Sequence, residues 1–245
     1  NKAAQEMRDR VEALVGPVAK QMWVSTFHSA CVRILRAQAE HLGYPKTFSI
    51  YDQSDAQRLV GYCIRDLGLD PKRYSARGVQ ARISLWKNEL IIPHDAAQQV
   101  NNTIDQKYVD VYREYQKRLE RAGAMDFDDL IYFTKELLDV HVDIRSALQQ
   151  RWHHVLVDEF QDTSKVQLDL VRLLTRDSLL VVGDADQSIY SWRGAAVESM
   201  SDFEKEFKKY HASGVKTVYL MENYRSTTNI VNAAQKIISF ESSKG

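Results

Sequence analysis

The chain has 245 residues, 44% hydrophobic and 27% charged, a globular composition that excludes a disordered or collagen-like chain. Its 33 basic and 33 acidic residues cancel, which excludes a histone-like polycation but not a local basic groove. Two cysteines, Cys31 and Cys63, build no disulfide framework and have no metal-ligand spacing, and no apolar run approaches the roughly 18 residues a membrane span needs.

In chain order, the first fourteen residues form an amphipathic helix pattern and not a signal peptide. The chain starts without Met and inside this pattern, so it is expected to be a piece of something longer. Met22–Phe27 reads as a buried strand, followed by a helix over His28–Leu42 with Cys31, Ile34, Leu35 and Leu42 on one face. From Asp52 to Asp126 the pattern is helical, with candidates at Asp55–Leu67, Ala76–Glu89 and Asp105–Arg121 and almost no strand signal. Apolar runs at Val155–Phe160, Leu179–Gly183 and Thr217–Met221 read as further strands, rich in Val and Leu as in a parallel sheet covered on both faces. Helices at Ser164–Leu174, behind an N-cap serine, and at Ser226–Ile238 separate or follow them. Strands alternating with helices predict a doubly wound α/β layer over 1–51 and 127–245, with an all-helical insertion over 52–126. The two cysteines are expected to be buried thiols of a reducing cytosol.

The strongest chemical signal is Val155-Leu-Val-Asp158-Glu159-Phe-Gln-Asp162-Thr, a buried strand running into two adjacent carboxylates. Ligands of open α/β sheets bind at the carboxyl ends of strands. Two acids there suit nucleoside triphosphate hydrolysis, one holding Mg²⁺ through water and the next positioning or deprotonating the attacking water. A strand-end acid pair that merely caps a helix is the simpler alternative. A second strand runs into Gly183-Asp184-Ala-Asp186-Gln187-Ser-Ile-Tyr190-Ser-Trp192-Arg193. Gln187 could donate to a terminal phosphate. Tyr190, Trp192 and Arg193 could stack single-stranded bases or lie in the core. Asp184-x-Asp186 alone could be a metal clamp of the sugar-nucleotide transferase kind.

Arg225, in Asn223-Tyr224-Arg225-Ser226 before a helix start, suits a transferring phosphoryl group or a surface ion pair. Thr26, Phe27 and His28 follow the first strand, where hydroxyls and an imidazole suit phosphate contacts or simple capping. The acids of Asp126-Phe127-Asp128-Asp129-Leu130 complement a helix dipole, and Phe127 could be core or base-stacking. Lys72, Arg73, Arg77, Arg82 and Lys87 form an acid-free run, either a solvated face or a phosphate-contacting surface. None of the ten glycines is followed by lysine, so the chain has no Gly-Lys-Ser/Thr phosphate loop.

Together these motifs resemble the UvrD/Rep/PcrA family of superfamily 1 DNA helicases. Asn1-Lys-Ala-Ala-Gln-Glu-Met is similar to the end of that family's motif Ia, and Thr26-Phe-His-Ser to motif Ib. Asp126-Phe-Asp-Asp-Leu is similar to the segment that follows the helical insertion. Val157-Asp-Glu-Phe-Gln-Asp-Thr resembles motif II, Val182-Gly-Asp-Ala-Asp-Gln-Ser-Ile-Tyr-Ser-Trp-Arg-Gly-Ala motif III and Asn223-Tyr-Arg-Ser motif IV. Six matches in family order are specific; Ala185 and Ser191 depart from residues often charged there.

The resemblance implies a RecA-like P-loop NTPase fold and a 3′–5′ DNA helicase using ATP and Mg²⁺. Asp158 would hold Mg²⁺ and Glu159 would activate water. Gln187 and Arg225 would sense the γ-phosphate, with Tyr224 against the adenine. Phe127, Tyr190, Trp192 and Arg193 would contact single-stranded DNA, with Thr26, Phe27 and His28 near its backbone. Partners would be single-stranded DNA, its junctions with duplex, and a second RecA-like domain of the same parent chain. The family's phosphate loop would lie before residue 1 and that second domain after residue 245. Little ATPase and no unwinding are therefore expected of the chain alone. A bacterial cytoplasmic, nucleoid-associated setting is implied. A non-catalytic DNA-binding module and a helicase–nuclease subunit are the alternatives.

Overall fold

The computed structural model describes residues 2–187 and 214–242, together with Phe203, Lys205 and Phe207. Among these residues the chain is mostly helical, with two small parallel sheets. Helix α1 (Lys2–Val15) leads through a 3₁₀ turn to an extended stretch and then α2 (Phe27–Gln38). Strand β1 (Ser49–Tyr51) precedes α3 (Gln53–Asp66), α4 (Ala76–Asn88), α5 (Pro93–Gln99) and α6 (Thr103–Arg121). Strand β2 (Ala124–Asp126) feeds directly into α7 (Phe127–Val140), followed by α8 (Val142–Arg151), β3 (His154–Val157), α9 (Lys165–Leu174) and β4 (Ser178–Val181). A last helix covers Thr228–Ser242.

The boundaries follow from capping chemistry. Asp52 accepts from the Asp55 amide at 2.9 Å and opens α3, and Asn102 accepts from the Asp105 amide at 2.8 Å and opens α6. Each satisfies one of the orphan donors of a first helical turn. The expected helices over 28–42, 55–67, 76–89, 105–121 and 164–174 are all present, their ends shifted by no more than four residues.

Two expected strands are not formed. Met22–Thr26 is extended, but among the described residues it has no strand beside it; Trp23 packs instead on Trp152, ring centroids 4.7 Å apart. Thr217–Met221 is also without a ladder among the described residues, and Val218, Tyr219, Leu220 and Met221 are all exposed. Conversely, β1 and β2 pair in parallel with Ser49 opposite Ala124 and Tyr51 opposite Asp126. Strand β2 therefore lies at the end of the segment expected to be purely helical. The chain leaves this ribbon after Tyr51 and returns to it at Ala124, with α3 to α6 between.

Three apolar clusters hold the molecule together. Val60, Ile83, Trp86, Val109, Tyr115 and Leu119 form one among α3, α4 and α6. Leu35, Phe48, Leu130, Leu137 and Leu170 form a second, in which α7 packs between α2 and α9. Val157, Phe160, Leu168, Val171 and Phe203 form the third, under β3 and β4. Both cysteines are free and buried, and burial pushes the Cys31 thiol up to about 12 and the Cys63 thiol up to about 11.

Candidate nucleotide and nucleic-acid sites

Strands β3 and β4 are parallel, with Val157 opposite Val181, so both chains emerge at the same end of the ribbon. Two hydrogen bonds extend the register past the strands: Val182 N–H to the Val157 carbonyl at 2.8 Å and Phe160 N–H to the Val182 carbonyl at 2.9 Å. Asp158 and Glu159 leave the first strand there, and Gly183 and Asp184 leave the second.

Glu159 has φ 52° and ψ 45°, in the left-handed region. That conformation costs a residue with a Cβ about 1–2 kcal/mol. It turns the chain sharply into the 3₁₀ segment Phe160–Asp162 and leaves both acids exposed on the rim. Each carboxylate accepts from an amide. Asp158 Oδ1 accepts from the Glu159 backbone at 3.0 Å, and Glu159 Oε2 accepts from Gln161 Nε2 at 2.6 Å.

Gln161 joins the two loops. Its other amide atom, Oε1, accepts from the Asp184 backbone at 3.1 Å, and Asp184 Oδ2 accepts from Gln187 Nε2 at 2.8 Å. Glu159, Gln161, Asp184 and Gln187 thus form one hydrogen-bonded chain across the rim. Gln161 is nearly buried and was not singled out in the sequence. Its signal was there, an amide two residues beyond an acid pair at a strand end. Gly183 permits the close approach: a Cβ on it would lie 2.7 Å from Gln161 Oε1 and 3.3 Å from both Gln161 N and Phe160 Cβ.

A second group forms where α2 and α7 begin. Thr26 caps α2, its Oγ1 accepting from the Ser29 amide at 3.3 Å. His28 and Phe127 meet edge to face, ring centroids 5.7 Å apart. Phe127 is 45% exposed. Burial holds His28 below the ordinary imidazole value, so the ring is neutral near pH 7 and would meet a phosphate as a hydrogen-bond partner rather than a cation. Phe27 is half-buried between the second and third clusters.

Tyr224 and Arg225 belong to the turn at 223–226. Both are exposed; the Tyr224 hydroxyl donates to Glu222, and the Arg225 and Ser226 amides donate to Asn223 Oδ1. Among the described residues no hydrogen bond or ion pair joins either side chain to Asp158, Glu159 or Gln187. Tyr190, Trp192 and Arg193 lie outside the described residues.

The basic run divides. Lys72, Arg73, Arg77 and Arg82 are exposed, but Lys87 is only 3% exposed. It is therefore neither a solvated face nor a phosphate contact. Its ammonium lies 2.7 Å from Asp126 Oδ2 and 2.7 Å from Asp129 Oδ1. Burial opposes ionisation of Asp126, yet the Lys87 charge and hydrogen bonds from Lys87, Asp129 N–H and Tyr115 hold its carboxyl below the usual range. Burial, and then repulsion from Asp126, push Asp129 up. The acids of this turn do more than complement a dipole.

The UvrD/REP helicase N-terminal domain family matches residues 1–208. The chain belongs to the UvrD/Rep helicase family. Among its relatives, the ATP-dependent DNA helicase UvrD1 of Mycobacterium tuberculosis is 50% identical over 252 residues, covering 98% of this chain and 32% of that protein. The ATP-dependent DNA helicases PcrA of Staphylococcus epidermidis and Bacillus subtilis are 43% and 40% identical over 246 residues, each match covering all of this chain and 33% of the relative. The chain thus spans about a third of the length of these UvrD/Rep relatives. Among its described residues no helix is long and apolar enough to cross a membrane.

Proposed function

We propose that this chain is the nucleotide-hydrolysing core of an ATP-dependent DNA helicase that moves 3′–5′ along single-stranded DNA and opens duplex at junctions. The reading comprises a RecA-like α/β unit over 1–51 and 127–245 and a helical insertion over 52–126. One observation carries it. The parallel register of β3 and β4 sets Asp158, Glu159, Asp184 and Gln187 along one rim, and Gln161 ties the two loops together. This is the end of an α/β sheet at which ligands bind.

On this reading Asp158 holds Mg²⁺ through water, and the ion supplies charge neutralisation on the phosphates. The donor set fits. The described residues contain no cluster of three His, Cys, Asp or Glu side chains. Mg²⁺ bound with a nucleotide keeps waters and takes only one or two carboxylates besides phosphate oxygens. Glu159 orients and deprotonates the attacking water, and its backbone strain supports a functional role over a capping one. Gln187 and Arg225 report the γ-phosphate and Tyr224 lies against the adenine.

Phe127, His28, Thr26 and Phe27, with Tyr190, Trp192 and Arg193, form the single-strand face. Gln187 lies three residues before Tyr190 and five before Trp192, so nucleotide state acts on stacking residues through one loop. Without a Gly-Lys phosphate loop, the 245 residues alone hydrolyse little ATP and unwind nothing. A second RecA-like domain is the implied partner, in a cytoplasmic, nucleoid-associated protein.

The test is Glu159→Gln in the full-length protein that carries this chain. Loss of a general base costs about 10²- to 10⁴-fold. DNA-stimulated ATP hydrolysis should fall by that much while nucleotide binding persists. Retained turnover would refute the assignment and favour a non-catalytic DNA-binding module.

A further inference from the structure

The first turn of α7 presents Phe127, but it is held by residues of α4 and α6. Asp126 and Asp129 cap the helix reciprocally with one oxygen each: Asp126 Oδ1 accepts from the Asp129 amide at 2.8 Å, and Asp129 Oδ2 accepts from the Asp126 amide at 3.1 Å. The remaining oxygen of each carboxylate points to Lys87 Nζ on α4, at 2.7 Å in both cases. Tyr115 on α6 donates its hydroxyl to Asp126 Oδ2 at 2.7 Å, and Asn88 on α4 donates to Asp128 Oδ1 at 3.0 Å. A capping box alone would leave the outer oxygens to water. Here they are buried and bound by the helical segment between β1 and β2. Phe127 sits between the residues so held, against His28 of α2.

We infer that Lys87 is a positioning residue that fixes the first turn of α7, and through it the Phe127–His28 pair, so that α4 and this pair move as one body. The functional half of this inference rests on the proposed role of Phe127 in binding single-stranded DNA. The positional half rests on the hydrogen bonds alone. An ammonium between two buried carboxylates has no neutral substitute of its length. Without it two acids share a dry turn, and the turn must shift to rehydrate them.

The experiment uses the 245-residue chain with 4-fluorophenylalanine at position 127 alone, read by its fluorine resonance and by anisotropy of a labelled oligo(dT). Lys87→Met should shift the resonance, and so should Tyr115→Phe, which removes one hydroxyl and serves if Lys87→Met does not fold. Val79→Ala, a cavity in the core of α3, α4 and α6, should lower Tm without moving the resonance. Phe127→Ala should weaken oligo(dT) binding by roughly 5- to 100-fold. Lys87→Met should weaken it by roughly 2- to 30-fold, and should add nothing to Phe127→Ala.

An unmoved resonance in folded Lys87→Met and Tyr115→Phe chains overturns the inference, as does full additivity with Phe127→Ala. If Phe127→Ala leaves oligo(dT) binding intact, the DNA reading of Phe127 fails, and the resonance still decides whether Lys87 positions the turn.

Discussion

Gly183→Ala probes the joint between the two rim loops. The new Cβ would stand 2.7 Å from Gln161 Oε1, well inside contact, and 3.3 Å from Gln161 N and Phe160 Cβ. The amide oxygen ends a flexible side chain, but it is not free to swing. It accepts from Asp184 N–H, and its partner nitrogen holds Glu159. Displacing it costs one hydrogen bond at about 1 kcal/mol. The two 3.3 Å contacts force backbone or Cβ atoms apart, and such overpacking costs about 1–3 kcal/mol. The sum is about 2–4 kcal/mol, or roughly 4–16 °C in Tm for a chain of this size. Thermal and urea unfolding would measure it. In a Gln161→Ala background the clash with Oε1 disappears and the cost of Gly183→Ala should shrink by about 1 kcal/mol or more. A Gly183→Ala chain within about 0.5 kcal/mol of the parent, the range of an ordinary surface change, would refute the claim that this glycine permits the loops to meet.

Other outcomes can be checked on the same chain. Lys87→Met should destabilise by about 3–5 kcal/mol in urea unfolding, because it leaves buried carboxylates uncompensated. Asp129, pushed up to about 7 from an ordinary 3.8 by burial and then by Asp126, binds its proton more tightly folded than unfolded, so its contribution to stability is present at low pH and fades as pH rises from about 4 to 7. Asp129→Asn should flatten that part of the pH–stability curve; an unchanged slope would refute the shift. At position 159, glycine should be at least as stable as alanine, reversing the usual penalty of about 0.5–1 kcal/mol against glycine, because alanine keeps the left-handed strain.

The helices were legible because their apolar spacing and capping residues agree. Strands β3 and β4 were legible because a Val/Leu run ends in acids or in Gly-Asp, which punctuates it. Met22–Phe27 is also apolar at most positions, but an apolar run does not supply a neighbouring strand, and Trp23 finds an aromatic partner instead. Strands β1 and β2 have three residues each, too few for an alternation to register. The burial of Lys87 was legible in principle. Val79, Ile83, Trp86 and Lys87 share one helical face, and the first three are buried. Its charge, and its place at the end of a basic run, masked that spacing. No periodicity encodes the distance between loops that are far apart in sequence.

Two of the features missed in the sequence have a common form. Gln161 uses its amide nitrogen on one loop and its amide oxygen on the other. Asp126 and Asp129 use one oxygen within their own helix and one toward α4. Each is a short polar group with two binding atoms, spent in two directions. Propensity and periodicity describe one element at a time, so a residue whose role is to tie two elements is ordinary on either scale. Where the partners are buried, as at Asp126 and Asp129, its energetic weight is nonetheless high, since breaking one bond leaves the other partner buried and unpaired. Such groups also transmit displacement, because neither element can move without straining the shared side chain. The rim at the ends of β3 and β4 and the Phe127 face are each closed by one of these ties, and those ties are where a change at one element would reach its neighbour.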